Sequence, residues 1–111
     1  MVTIDCADPK ELSAFWIEAL DAKIMHEIDN EYLILGPANK SVLLGLQRVS
    51  EAKSGKNRVH LDLRAEDRAA EVQRMVGLGA TVVDEHVMPG FAWTVLTDPA
   101  GNEFCIASEE D

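Results

Sequence analysis

The feature that most constrains the fold is one order of elements that occurs twice along the chain. Each half opens with a short run of alternating apolar and polar residues, continues with an amphipathic helix and ends with three strand-like runs. The opening runs are VTIDC at residues 2–6 and RVHLDLR at residues 58–64. One such unit cannot bury its sheet face alone, so units of this kind pack together. The sequence therefore predicts an α+β domain made of two tandem βαβββ units.

Both predicted helices carry clear boundary signals. Asp8 is a natural N-cap, Pro9 suits the first helical position, and Glu11 completes a capping-box pattern. The second helix is predicted over residues 66–79, with Gly79 as its end.

The remaining strands follow from alternation between turn signals. They are predicted at residues 22–28, 31–36, 41–49, 80–86, 91–98 and 103–108. Asp29 and Asn30 fit a hairpin turn, and the polar residues 50–57 form the one obvious connector. We therefore expect a single domain over residues 1–111, with unit one at about 1–49 and unit two at about 58–111.

Composition limits the classes of partner. Twenty acidic against ten basic residues give a net charge of -10, which argues against nucleic acid or an anionic membrane surface. No apolar run is long enough to span a bilayer and no secretory signal pattern opens the sequence, so a cytoplasmic location is expected. Cys6 and Cys105 are then expected to be reduced.

The stretch TDPAGNEFC at residues 97–105 raises the question of a site. A tight Asp-Pro-x-Gly turn leads into a strand in which Glu103 and Cys105 share one face, while Phe104 and Ile106 share the other. The polar face is either a solvated edge or one wall of a site.

Three stretches give the chain a resemblance to a known superfamily. VTIDCADPKELSAFW, NRVHLDLRAED and TDPAGNEFCI stand in the order and spacing typical of the vicinal oxygen chelate superfamily. That superfamily includes glyoxalase I, extradiol dioxygenases, and the bleomycin- and fosfomycin-resistance proteins. The resemblance covers essentially the whole chain. It implies sheets curved into a cup with the helices outside, a divalent metal often held inside, and a homodimer.

The resemblance also implies which side chains line the cup. Leu61, Leu63, Phe104 and Ile106 would face the helices. Ligand-binding side chains would be Asp5, Gln47, Asp62, Arg64, Trp93 and Cys105. Trp93 is interpreted as an aromatic pocket wall. His26 and His86 lie near strand ends and are expected to be exposed.

The family's usual metal ligands are only partly matched. His60 falls on one of four His or Glu positions, but its first-half counterpart is Met1, a poor ligand for the ions these proteins use. Cys105 stands at the last-strand position, with Glu103 two residues earlier on the same face, and Gln47 is the only polar candidate for the fourth. We therefore expect no metal cofactor. The alternative is a divalent ion such as zinc or nickel, held by His60 and Glu103.

These residues favour a glyoxalase- or bleomycin-resistance-like protein that binds a small molecule in a polar pocket without the standard metal set. The alternative is a metal-dependent lyase or isomerase that uses His60 and Glu103. As catalytic candidates, His60 and Glu103 could act as a base and its orienting carboxylate. A His60–Cys105 nucleophilic pair, an internal ion-pair network of Asp62, Arg64 and Glu103, and a dimeric structural module with an empty cup remain further interpretations.

Overall fold

The computed structural model describes residues 1–39 and 41–109. The first half contains β1 (Val2–Cys6), α1 (Pro9–Leu20), β2 (Ala22–Ile28), β3 (Tyr32–Pro37) and β4 (Leu44–Arg48). The second half contains β5 (Leu61–Arg64), α2 (Arg68–Leu78), β6 (Thr81–Met88), β7 (Phe91–Thr97) and β8 (Glu103–Glu109). This order confirms the predicted α+β fold of two tandem βαβββ units. The last two residues of the predicted second unit lie outside the described residues.

Contacts between residues divide the chain into two compact units, the first running from Met1 to Ser54 and the second beginning at Gly55. This boundary lies within the connector expected at residues 50–57. The assembly of both units into a single domain stays a prediction. Neither helix in the described part of the chain is long and apolar enough to cross a membrane.

The first unit is a four-stranded sheet in the order β1-β4-β3-β2, in which only the β1–β4 pair is parallel. Helix α1 contacts β2, β3 and β4. The apolar residues of the helix and the sheet that are at most 4% exposed include Pro9, Leu12, Phe15, Trp16, Leu33, Leu35, Leu44 and Leu46. Their removal from water is the main stabilising contribution to this unit.

The start of α1 is tied to the β2–β3 turn by one asparagine. Asp8 Oδ1 accepts from the backbone N–H of Glu11 at 3.2 Å and from Asn30 Nδ2 at 2.8 Å. Asn30 Oδ1 in turn accepts from the backbone N–H of Lys10 at 2.9 Å. These hydrogen bonds, with that of Asn30 first in importance, lower the pKa of the Asp8 carboxyl below its ordinary value of 3.8. Asn30 therefore couples the helix N-terminus to a turn distant in sequence.

The second unit repeats the arrangement with the strand order β5-β8-β7-β6, and only β5–β8 is parallel. Asp67 caps α2 by accepting from the backbone N–H of Ala70 at 3.1 Å. Gly79 ends the helix at φ 119°, a left-handed conformation that suits glycine. Arg68 on α2 donates to Thr94 at 2.6 Å and to Ser108 at 3.2 Å.

These two contacts identify the sheet face that α2 covers. Thr94 pairs with Ile106, and Ile106, Phe104 and Leu96 are at most 1% exposed. Leu61 and Leu63 pair with Phe104 and Ile106 and are half-buried on the same face, as predicted. The opposite face carries the second set of alternating residues along the strands.

Two strands begin three residues later than the sequence predicts. Strand β5 starts at Leu61, not at residue 58, and Val59 is 74% exposed instead of joining the apolar face. The reason is the length of the partner strand, because Leu61 pairs with Phe104 and only Glu103 of β8 precedes that residue. Strand β4 likewise begins at Leu44, where its pairing with Val2 begins.

We expect the Asp8→Asn substitution to lower the free energy of unfolding at neutral pH, because the charged form of Asp8 is stabilised in the folded protein. A carboxyl whose folded pKa is lowered contributes stability above its unfolded value of 3.8, and this contribution is lost as the pH falls through the folded value. The deficit should therefore shrink in acid, as measured by urea unfolding over a pH series. Asp67→Asn, at the other helix cap, is the control. A deficit at Asp8 that does not change with pH would contradict the assignment.

Candidate functional site

A cleft of about 500 Å³ lies on the sheet face of the second unit that is opposite α2. Its lining residues are His60, Asp62, Arg64, Phe91, Trp93, Cys105 and Ala107. The register explains this grouping, because Asp62 pairs with Cys105 and Ala107 pairs with both Arg64 and Trp93. Paired residues on neighbouring strands point to the same face. Five of the residues predicted for the site are thus brought together within one unit.

Three potential ligand or catalytic groups meet at one end of this cleft. His60 Nδ1 lies 3.1 Å from Asp62 Oδ1 and 3.8 Å from Cys105 Sγ. One ligand atom from each of the three lies within 4.8 Å of the others. The side chains of His60 and Asp62 are 39% and 64% exposed, whereas Cys105 is buried. An exposed imidazole and carboxylate therefore stand above a buried thiol.

The environment of Cys105 keeps its thiol protonated. Burial, and after it the negative charge and hydrogen bond of Asp62, raise the pKa of the Cys105 thiol above its ordinary value of 9.0. A reactive cysteine requires the opposite effect, a lowered pKa. The raised pKa of the Cys105 thiol therefore argues against the His60–Cys105 nucleophilic pair.

Aromatic rings form the other end of the cleft. The His86 ring stacks on Trp93 with centroids 4.8 Å apart and planes at 20°, and Phe91 lies 5.8 Å from Trp93 on a tilted plane. Asp84 Oδ2 lies 3.1 Å from His86 Nε2. Sequence reasoning expected His86 to be merely exposed. The signal that would have found it is the β6–β7 register, which pairs His86 directly with Trp93.

Glu103 is engaged with the connector. Its Oε2 accepts from the backbone N–H of Asn57 at 2.8 Å and lies 3.6 Å from Lys56 Nζ, and its side chain is 12% exposed. The carboxylate at hydrogen-bonding distance from His60 is that of Asp62. Arg64 pairs with Glu109 at 3.4 Å, which differs from the ion-pair network expected among Asp62, Arg64 and Glu103.

The predicted site residues of the first unit lie side by side. Asp5 pairs with Gln47 across β1 and β4, and both are exposed. On the same face the Tyr32 hydroxyl crosses above Gly45, where a Cβ atom would stand 2.8 Å from that hydroxyl and 2.8 Å from Thr3 Oγ1. Tyr32 was not among the predicted site residues, and Gly45, over which its hydroxyl lies, is a sequence signal for its position.

Comparison with protein families decides the classification. A family model described as a glyoxalase-like domain matches residues 1–107. The chain belongs to this family. A comparison with curated proteins gives no match.

Solved structures share the fold of this glyoxalase-like chain. A glyoxalase/bleomycin resistance protein/dioxygenase family enzyme from Burkholderia phytofirmans PsJN is 21% identical with a TM-score of 0.76, over 96% of this chain and 94% of its own. Lactoylglutathione lyase from Agrobacterium tumefaciens is 18% identical with a TM-score of 0.72, over 97% and 91%. The fosfomycin resistance protein FosX from Listeria monocytogenes, complexed with Mn(II) and sulfate ion, is 12% identical with a TM-score of 0.78, over 98% and 87%. These similarities show that the chain shares the fold of these proteins.

The donor atoms of the cleft can be compared with what a metal ion requires. A tetrahedral zinc ion bound at about 2.0–2.3 Å keeps its ligands about 3.3–3.8 Å apart. The His60 Nδ1 distances of 3.1 Å to Asp62 and 3.8 Å to Cys105 are compatible with that spacing. The mixed nitrogen, oxygen and sulfur set suits zinc better than ions that prefer oxygen ligands alone. The thiol must lose its proton before it can act as a ligand.

We expect Cys105 to be alkylated slowly by iodoacetamide, and several times faster in Asp62→Asn. That substitution removes a charge that disfavours the thiolate, so the pKa of Cys105 moves back towards its ordinary value. A Cys6→Ser background leaves Cys105 as the one thiol, and mass spectrometry follows the modification. Asp84→Asn is the control, because it removes the same charge elsewhere in the unit and should leave the alkylation rate of Cys105 unchanged. Equal rates for Asp62→Asn and the parent would contradict the assigned role of Asp62.

Proposed function

We propose that the cleft of the second unit binds a small molecule with a flat apolar part and a polar or anionic group, without the standard metal set of the superfamily. The observation that carries this proposal is the combination of an aromatic wall and a polar cluster on one sheet face, in a cleft of about 500 Å³. Small-molecule sites commonly have this size and this mixture of apolar walls with a few polar groups.

The aromatic wall supplies the apolar contact. Trp93 is half-buried and contacts both the stacked ring of His86 and the tilted ring of Phe91, which is 38% exposed. A ring fixed on its neighbours loses little conformational freedom when a ligand contacts it. Flat ligands bind such surfaces in offset or edge-to-face arrangements.

The polar cluster supplies orientation. Arg64 is the basic residue of the cleft lining, and its side chain is 74% exposed beside its partner Glu109. Such an exposed pair exchanges partners at little cost, because surface ion pairs contribute only about 0–1 kcal/mol. An anionic group on the ligand can therefore replace Glu109. Asp62 and His60 offer further hydrogen-bonding groups nearby.

Two features support binding without a metal. Burial and Asp62 raise the pKa of the Cys105 thiol, which weakens it as a metal ligand because a coordinating thiol must lose its proton. His60 Nδ1 already has the Asp62 carboxylate as its partner. Of the superfamily's structural neighbours, FosX was solved with Mn(II) and another carries the name of lactoylglutathione lyase, so small polar molecules are the substrate class that these similarities suggest.

We expect 4-nitrobenzoate to quench tryptophan fluorescence saturably, because its ring can stack on Trp93 and its carboxylate can meet Arg64. Trp93→Phe should remove the quenching, since Trp16, the other tryptophan, is 1% exposed in the core of the first unit. Arg64→Ala should weaken binding about twofold to fivefold, the effect of one exposed ion pair of about 0.5–1 kcal/mol. Arg48→Ala, an exposed arginine of the first unit, is the matched control. Calorimetric binding that is unchanged in both Trp93→Phe and Arg64→Ala would refute the proposed cleft.

A second candidate function is a metal-dependent lyase or isomerase, favoured by the close approach of ligand atoms from His60, Asp62 and Cys105. These three residues would hold an ion such as zinc or nickel, which would supply a Lewis acid for the ligand's oxygen. Glu103, predicted as a ligand together with His60, is bound to Asn57 and Lys56 in the described structure. It would have to release both to take part.

Metal content separates the two functions. For a metal-independent cleft we expect protein purified without chelators to contain less than stoichiometric zinc and nickel, and calorimetry with either ion to show no saturable site. Saturable binding that activates a lyase reaction would establish the second candidate instead. In that case His60→Ala should abolish the binding, and His26→Ala, which alters a histidine of the first unit, should not.

The homodimer and the cytoplasmic location expected from the sequence stay proposals. Several large apolar side chains are more than half exposed in the described structure, among them Met25, Val42 and Val87, which is compatible with a partner chain. Light scattering that gives the mass of one 12.2 kDa chain would contradict the dimer.

A further inference from the structure

The first unit contains a cavity of its own, with a volume of about 650 Å³. It lies where β2 begins and β3 ends, beside the end of α1 and the residues that lead into β4. Small-molecule sites commonly have this volume. Its lining includes Asp21, Lys23, Met25, Gly36, Pro37 and Leu43, all of the first unit.

The floor of this cavity depends on a β-bulge. The register of β2 against β3 shifts between Ile24 and His26, so Met25 is the extra residue of the bulge. A bulge redirects the side chain that it carries. A Cβ atom at Gly36 would stand 2.9 Å from Met25 Cγ and 3.5 Å from Leu43 Cδ2. The glycine therefore lets the methionine side chain lie across the sheet at this point.

The surface formed in this way is apolar and adaptable. Met25 and Leu43 are 56% and 41% exposed, and Pro37 is buried beside them. The unbranched thioether of methionine adjusts its shape to a ligand at little cost. A ligand with an apolar group would remove this surface from water, which favours binding.

Two opposite charges border the same cavity without forming a pair. Asp21 and Lys23 are exposed, and within residues 1–39 and 41–109 the side chain of neither takes part in a hydrogen bond or an ion pair. The backbone of Asp21 is fixed, because it ends α1 at φ 49° and its carbonyl accepts from the N–H of Ala38 at 2.9 Å. The carboxylate and the ammonium are therefore both available to a ligand.

We propose that this cavity binds a zwitterion with a short apolar side chain, that is, an apolar α-amino acid. The ligand's ammonium meets Asp21, its carboxylate meets Lys23, and its side chain covers Met25 and Leu43. A simple anion fits less well, because Asp21 and the net charge of -10 repel it. A simple cation would leave Lys23 without a partner. Charge complementarity therefore favours the zwitterion, independently of the binding proposed for the second unit.

NMR of methionine methyl groups labelled with ¹³C reports on the cavity directly. We expect L-leucine to shift the Met25 signal, assigned by Met25→Leu, in a saturable way. The signal of Met88, which is also 56% exposed but belongs to the second unit, should stay unchanged. Glycine has both charges but no apolar side chain, and it should bind about tenfold more weakly because it buries no such surface.

The two charges are tested with ligands that each lack one of them. 4-Methylpentanoate lacks the ammonium of leucine and 3-methylbutylamine lacks its carboxylate, and each should bind about twofold to fivefold more weakly than leucine. Asp21→Asn, which suits the left-handed conformation, should weaken binding of leucine but not of 4-methylpentanoate. Lys23→Gln should weaken binding of leucine but not of 3-methylbutylamine. Asp29→Asn, at a second left-handed aspartate of the first unit with φ 48°, is the matched control and should change neither affinity.

Three results would overturn the proposal. The first is the absence of a saturable Met25 shift with leucine. The second is an equal affinity for leucine and both analogues, which would mean that the cavity recognises an apolar chain alone. The third is a Met25 signal that moves with protein concentration in the absence of ligand, because a second copy of the chain would then cover the cavity. Trp93→Phe should bind leucine as the parent does, so a failure of the function proposed for the second unit would leave this site intact.

Discussion

The parallel pairing of β5 with β8 is the constraint on which the candidate site depends. Strand β5 is only four residues long and lies at the edge of its four-stranded sheet, so its register is fixed by what it buries. Leu61 and Leu63 lie opposite Phe104 and Ile106 on the face that α2 covers. A shift of one residue would turn Asp62 and Arg64 towards that apolar face, and burying unpaired charges is costly. The apolar face therefore determines the position of every polar group on the open face.

The position of His60 depends on where that pairing stops. His60 precedes the first residue of β5, so its backbone lies outside the ladder and its ring can reach Asp62, two residues further on. The segment before His60 is held in place by Glu103, which accepts a hydrogen bond from the backbone N–H of Asn57 and lies close to Lys56. Glu103 thus restrains the segment that leads into His60. A largely buried carboxylate with such partners contributes to the geometry of the site even where it touches no ligand.

The fold could be predicted from the sequence because its signals are local. The Asp8 cap, the glycine at the end of α2 and the alternation of the strands are readable within a few residues, and the predicted elements exist in the predicted order. The start of β5 could not be predicted, because alternation continues through residues 58–60 while the partner strand does not. The sequence predicted Glu103 as the orienting carboxylate of His60, whereas Asp62 lies beside it in the structure. Alternation places both carboxylates on the same face as His60, so it does not distinguish between them. Only the hydrogen bonds of the connector distinguish the two carboxylates.

A comparison of the two units separates the residues that stabilise the fold from the residues that could take part in binding or catalysis. Both have the same strand order, and each has an aspartate cap on its helix. Their open faces differ, because the first carries the Tyr32 hydroxyl over Gly45, whereas the second carries stacked aromatic rings beside an imidazole, a carboxylate and a thiol. The positions that are alike in the two units are those that bury apolar surface or cap a helix. Each βαβββ unit needs these positions, so they occur in both. The positions on the open face are free of that requirement, and function can be assigned only from the particular side chains that occupy them.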